Sequence, residues 1–166
     1  MTAPSPETPA AERRRPPWSV RRVIYTGLGF GLAPKAPGTF GTLPGLPLYW
    51  LMADLSWPVY LSLTLAVFLV GWWAAEKAES DLGHHDAGEV VIDEVAGYLV
   101  TMFLAPALPW AMVWGFVFFR FFDILKPWPV SWADRRVPGG LGVMVDDLLA
   151  GVYAWAAMQL AYLILY

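Results

Sequence analysis

The chain has 166 residues, enough for one domain, and is 57% hydrophobic with only 15% charged residues, against about 25% in soluble proteins. A net charge of -3 and the lack of a long basic tract argue against nucleic acid as a partner. The absence of cysteine excludes disulfides, thiolate metal sites and cysteine nucleophiles.

The mean hydropathy of +0.47 points to lipid. Residues 1–18 are rich in Pro, Ala and polar side chains and lack the apolar core of a signal peptide. They read as a disordered tail ahead of one membrane domain, 19–166. Arg13, Arg14 and Arg15, with Arg21 and Arg22, suit a solvated inner-side charge run or anionic headgroups. The run GLGFGLAPKAPGTFGTLPG, 27–45, follows. It is neither a Walker A loop nor a dinucleotide fingerprint. It reads as a plain loop or as a Gly-rich anion turn, in which Lys35, Gly38 and Thr39 would hold phosphate.

Four stretches carry no charge: 36–53, 55–75, 95–119 and 148–166. A spanning helix needs about 20 mostly apolar residues. Stretches 55–75 and 148–166 qualify, while Pro44, Gly45 and Pro47 break 36–53 into a loop or re-entrant segment. Stretch 95–119 is read as a hairpin broken at 105–109, with arms 89–105 and 109–125. That choice places all 11 Lys and Arg residues on one side, as the positive-inside rule requires. The expected fold is an all-α polytopic membrane bundle with about four spanning segments, one of them broken. Nothing in the sequence fixes the oligomeric state.

Three acidic clusters fall at the cytoplasmic ends of these segments. In HHDAGEVVIDEVAG, 84–97, apolar residues flank Asp93 and Glu94 on both sides, which suits function better than a solvated turn. Successive helical residues point about 100° apart. One of the pair can therefore ligate a metal while the other supports it or acts as base. In RFFDILKPWPVSWADRR, 120–136, Arg120 and Asp123 share a helix face that Pro127 and Pro129 end. They form either an ion pair or, with Lys126, donors to phosphate beside a cation site. Asp134 looks like part of an ordinary loop. In GGLGVMVDDLLAG, 139–151, adjacent Asp146 and Asp147 enter an apolar helix. One acid would serve a helix dipole; two suggest a hard divalent cation such as Mg²⁺. Asp93, Glu94, Asp146 and Asp147 are the candidate ligands, and Asp123 or Asp86 the candidate base. The acids outnumber the bases, so a bound cation is what would make the site hospitable to phosphate.

These four motifs, in this order, resemble phosphatidylglycerophosphatase A, a bacterial lipid phosphatase family. The resemblance covers the chain from Gly27 onward. It implies a multi-pass inner-membrane enzyme that hydrolyses phosphatidylglycerophosphate with Mg²⁺ on the cytoplasmic face. It also marks Gly38, Thr39, Asp86, Asp93, Glu94, Arg120, Asp123, Lys126, Pro127, Asp146 and Asp147 as functional positions. Only two histidines are present, adjacent at 84 and 85, too few for a histidine-based phosphatase site. A small transporter would place polar groups mid-span, and a scaffold would need no paired acids.

Overall fold

A computed structural model describes residues 17–82 and 88–165. Among them are eight α-helices and no strand. They are α1 (Val20–Tyr25), α2 (Pro37–Thr42), α3 (Gly45–Met52), α4 (Trp57–Leu82), α5 (Ile92–Thr101), α6 (Pro109–Leu125), α7 (Val130–Arg136) and α8 (Gly139–Leu165). The tail residues 1–16 and the motif residues His84, His85 and Asp86 lie outside the described part.

Local chemistry sets many of the boundaries. Ser19 caps α1 by accepting from the Arg22 amide at 3.1 Å. Pro37 and Pro109 stand in the first turns of α2 and α6, where a missing N–H costs nothing. Helix α6 stops at Lys126, whose backbone is left-handed at φ 44°, and Pro127 follows. A non-glycine residue held in that region costs about 1–3 kcal/mol, the sort of strain that collects at functional sites.

Among the described residues, two helices are long and apolar enough to cross a membrane, over Trp57–Ala78 and Gly139–Ile164. Their outer faces expose Leu61, Leu65, Leu69, Trp73, Val152, Leu160 and Leu163, and α6 adds Val113, Val117 and Phe121. The expected break of 36–53 is present as α2 and α3. The hairpin also forms as two helices, but its first arm departs from expectation. Helix α5 has 10 residues, about 15 Å, or half of a 30 Å hydrocarbon core. It ends because Met102–Ala105 turns and Leu104 adopts φ 61° ahead of Pro106.

A helix that stops inside the protein leaves carbonyls without partners. Side chains from three other helices supply the donors. Tyr60 of α4 donates to the Leu99 carbonyl at 2.7 Å, and Tyr49 of α3 donates to that of Ala105 at 2.8 Å. Trp155 Nε1 and Gln159 Nε2 of α8 both donate to the Phe103 carbonyl, at 3.0 and 3.2 Å.

Helices α5 and α8 cross through glycine. A Cβ on Gly151 would strike the Gly97 carbonyl, and one on Gly97 would strike the Asp147 carbonyl and the Phe119 ring. Asp93 precedes Gly97 by four residues and Asp147 precedes Gly151 by four. Each acid therefore sits one turn before the crossing, and the two helices run in the same direction. Replacing Gly151 by Val should cost at least the 1–3 kcal/mol typical of overpacking, because the obstacle is backbone. Thermal unfolding in detergent should register a lower Tm for Gly151→Val and a smaller loss for Gly151→Ala.

Candidate active site

Asp93 and Glu94 occupy the first turn of α5 and are both buried, 9% and 7% exposed. Being adjacent, they take different partners. Glu94 Oε2 accepts from Thr42 Oγ1 at 2.7 Å and pairs with Arg120 Nη1 at 3.0 Å. The same Arg120 nitrogen lies 2.7 Å from Asp123 Oδ2. The i,i+3 ion pair readable from sequence is thus one side of a triad that joins α5 to α6. The start of α2 lies directly against it. A Cβ at Gly38 would meet Glu94 Oε1 and both Arg120 Nη atoms, so a larger residue there would have to push these side-chain ends aside.

Asp146 and Asp147 are more deeply buried, 5% and 3% exposed. Helix α8 begins at Gly139, whose φ is 69°, and Glu76 of α4 caps it by accepting from the Gly140 amide at 2.9 Å. The acid pair therefore lies about two turns inside the helix rather than at its start, where sequence had placed it. Dipole effects fade within the first turn, so dipole compensation does not explain the pair.

Lys126 meets Asp146 from the opposite side. Its Nζ donates to Asp146 Oδ2 at 2.8 Å and to Asp134 Oδ1 of α7. Burial works against the ammonium, but these two hydrogen bonds and the charges behind them outweigh it and raise the Lys126 pKa above the ordinary lysine value.

All of these acids line one pocket of about 270 Å³. Asp93 and Glu94 come from α5, Asp123 from α6, Asp134 from α7, and Asp146 and Asp147 from α8. Lys126 adds a cation to the wall, and Pro37 and Gly38 bring the start of α2 to it. Asp93 Oδ1, Asp146 Oδ1 and Asp147 Oδ2 are buried without a hydrogen-bond partner. Buried carboxylate oxygens left bare are costly unless something meets them. Among the described residues no group of three or more acid or imidazole side chains could by itself hold an ion. Mg²⁺ does not ask for one, since it commonly takes one or two carboxylates and completes its shell with waters and substrate phosphate. Three bare carboxylate oxygens beside a phosphate-sized pocket fit that pattern.

The predicted phosphate-binding residues divide. Gly38 and Lys126 line the pocket. Arg120 stands behind its wall, occupied by Glu94 and Asp123. Lys35 and Thr39 are not among the lining residues, and Lys35 is exposed on the loop before α2. The left-handed turn at Ala36, φ 48°, separates that loop from the helix carrying Gly38. Asp86 lies outside the described residues. Two residues went unread. Thr42 is one turn after Gly38, a spacing that placed it on the Gly38 face. Asp134 was passed over as a loop acid beside two arginines.

Residues 23–162 match the family model described as phosphatidylglycerophosphatase A. The chain belongs to the phosphatidylglycerophosphatase A family. It is 41% identical over 137 residues to the phosphatidylglycerophosphatase A of Escherichia coli strain K12, covering 82% of this chain and 78% of that protein. The Haemophilus influenzae phosphatidylglycerophosphatase A is 40% identical over 134 residues, 80% of this chain and 82% of that one. A Bacteroides thetaiotaomicron protein provisionally named a phosphatidylinositol-3-phosphatase is 38% identical over 148 residues, 84% and 91% of the two chains. No solved structure gives a significant match. Every acid of the pocket falls within the span matched to the family.

The triad around Arg120 sets a stability prediction. Removing one partner of a buried ion cluster typically costs about 3–5 kcal/mol, because charge is left uncompensated. Arg120→Ala strands Glu94 and Asp123 and should fall in that range in denaturant titration. Arg120→Lys, which keeps the charge, should lose less.

Proposed function

We propose that this chain hydrolyses phosphatidylglycerophosphate to phosphatidylglycerol and phosphate, using Mg²⁺, at the cytoplasmic face of a bacterial membrane. The observation that carries the reading is the convergence of bare, buried carboxylate oxygens and one lysine in a single pocket, in a chain of this family.

One or two of Asp93, Asp146 and Asp147, each with an unpartnered oxygen, would hold the ion, with waters and substrate phosphate completing its shell. The chemistry such an ion supplies is neutralisation of phosphate charge and activation of a water. The chain's own groups do the rest. Lys126 has three donors, two of them engaged by Asp134 and Asp146, and offers the third to a phosphate oxygen. It is the cation of the pocket wall, so charge building on the equatorial oxygens is met there. Asp123 lines the pocket and is oriented by Arg120, which suits it to accept the proton of the attacking water. Glu94, fixed by Thr42 and Arg120, holds the first turn of α5 in place beside Asp93. Gly38 lets the start of α2 lie close against Glu94 and Arg120.

In this reading α4 and α8 cross the bilayer fully, α6 crosses with 17 residues, and α2–α3 with α5 enter it as broken or partial segments. Asp54 lies in the α3–α4 turn, far along the chain from every cation, in keeping with an outer location. The apolar faces of α4, α6 and α8 sit in lipid and leave the headgroup to reach the acids.

Phosphate release from phosphatidylglycerophosphate by the purified protein tests this directly. Release is expected with Mg²⁺, and EDTA should abolish it. Asp93→Asn and Asp147→Asn should each lower kcat by about 100-fold or more, the scale on which such groups act. Undiminished release in EDTA would overturn the metal reading. A folded sample that prefers phosphatidylinositol 3-phosphate would move the substrate assignment toward that of the Bacteroides relative. One that attacks no lipid phosphomonoester would end the phosphatase reading.

A further inference from the structure

Asp134 stands apart from the other acids of the pocket. It lies on α7, a seven-residue helix packed along α8, and its side chain is 31% exposed, against 7% for Asp146. The two carboxylates share one ammonium. Lys126 Nζ is held by Asp134 on the rim side and by Asp146 on the buried side. Asp146 keeps its second oxygen, Oδ1, without a partner. With Asp134 absent, nothing at the rim would oppose the attraction of the inner carboxylate. The ammonium would then be drawn inward, toward Asp146 Oδ2, which it already meets, and away from the rim. The strained left-handed backbone at Lys126 is a further sign that this side chain is held where it is at some cost.

We propose that Asp134 is a positioning residue for substrate binding. By sharing Lys126 with Asp146, it keeps the ammonium at the pocket rim with one donor free for the substrate phosphate. The proposal rests on reading the pocket as a phosphate site and adds a residue outside the expected set. The competing account is a partly exposed ion pair of little consequence, since such pairs contribute about 0–1 kcal/mol.

The two accounts separate in steady-state kinetics and in phosphate binding. For Asp134→Asn, KM for phosphatidylglycerophosphate should rise by about tenfold, and kcat should fall as well, because the displaced Lys126 meets the phosphate in both the bound substrate and the transition state. Asp134→Glu should recover most of the loss. In a Lys126→Ala background, Asp134→Asn should change KM no further, because its effect passes through Lys126. A readout free of turnover accompanies these. Inorganic phosphate should raise the Tm of the parent protein in detergent with Mg²⁺, and Asp134→Asn should at least halve that rise. An unchanged KM and phosphate response in Asp134→Asn would overturn the proposal, as would effects that add to those of Lys126→Ala. A parent whose Tm phosphate does not move would overturn it too. If the parent binds phosphate but hydrolyses no lipid phosphate, the phosphatase reading fails, and the binding comparison still decides the role of Asp134.

Discussion

The pocket depends on how closely α5 and α8 approach. Two glycines, Gly97 and Gly151, let one backbone rest on the other. Thr101 ties the same point, with Oγ1 at 3.0 Å from the Gly97 carbonyl and 3.4 Å from that of Gly151. In lipid, apolar side chains gain nothing by leaving one apolar neighbour for another, so close backbone packing and buried hydrogen bonds must hold helices together. The crossing lies one turn beyond Asp93 and Asp147. Any side chain that pushed the helices apart would widen the gap between those acids, so the contact that stabilises the bundle also sets the spacing of the carboxylates.

The short α5 follows from the same arrangement. Packed against α2, α3, α4, α6 and α8, it is covered by protein along most of its length. Its cost is a helix end and a following turn whose carbonyls need partners. Tyr60, Tyr49, Trp155 and Gln159 offset that cost with four side-chain donors. Three of the four are aromatic, which lets them fill space around the turn while their polar ends satisfy it. Tyr98, itself fully buried, adds a bond from α5 to the body of α6, donating to the Met112 carbonyl at 3.1 Å.

Much of this was legible in the sequence, for identifiable reasons. Long uncharged runs announce α4 and α8, because little else produces them. Pro44, Gly45 and Pro47 announce the broken segment, because proline removes a donor wherever it stands. The adjacent acids Asp93–Glu94 and Asp146–Asp147 announced the pocket, since carboxylates beside apolar runs need a reason to be there. The length of α5 was hidden, because hydropathy reports the apolar character of 95–119 and not whether protein or lipid satisfies it. The start of α8 was hidden as well. Residues 139–147 hold three glycines and two acids, and it takes Glu76, 64 positions earlier, to cap the helix there. Arg120 reads from sequence either as a partner of Asp123 or as a phosphate donor; its second acid, Glu94, comes from a different helix and leaves no local trace. Lys126 was expected to look toward phosphate. That it is shared between Asp134 and Asp146 depends on α7 folding back onto α8, which no spacing encodes.

Thr42 carries a consequence of its own. Its hydroxyl has a single proton, yet two acceptors stand within reach: the Gly38 carbonyl at 2.9 Å and Glu94 Oε2 at 2.7 Å. The proton serves one of them at a time. When Glu94 carries full negative charge, it has the stronger claim, and Thr42 turns toward α5. When that charge is taken up by another group, the hydroxyl is released to the backbone of its own helix. One rotor therefore links the electrical state of the catalytic wall to the first turn of α2, the turn that carries Gly38.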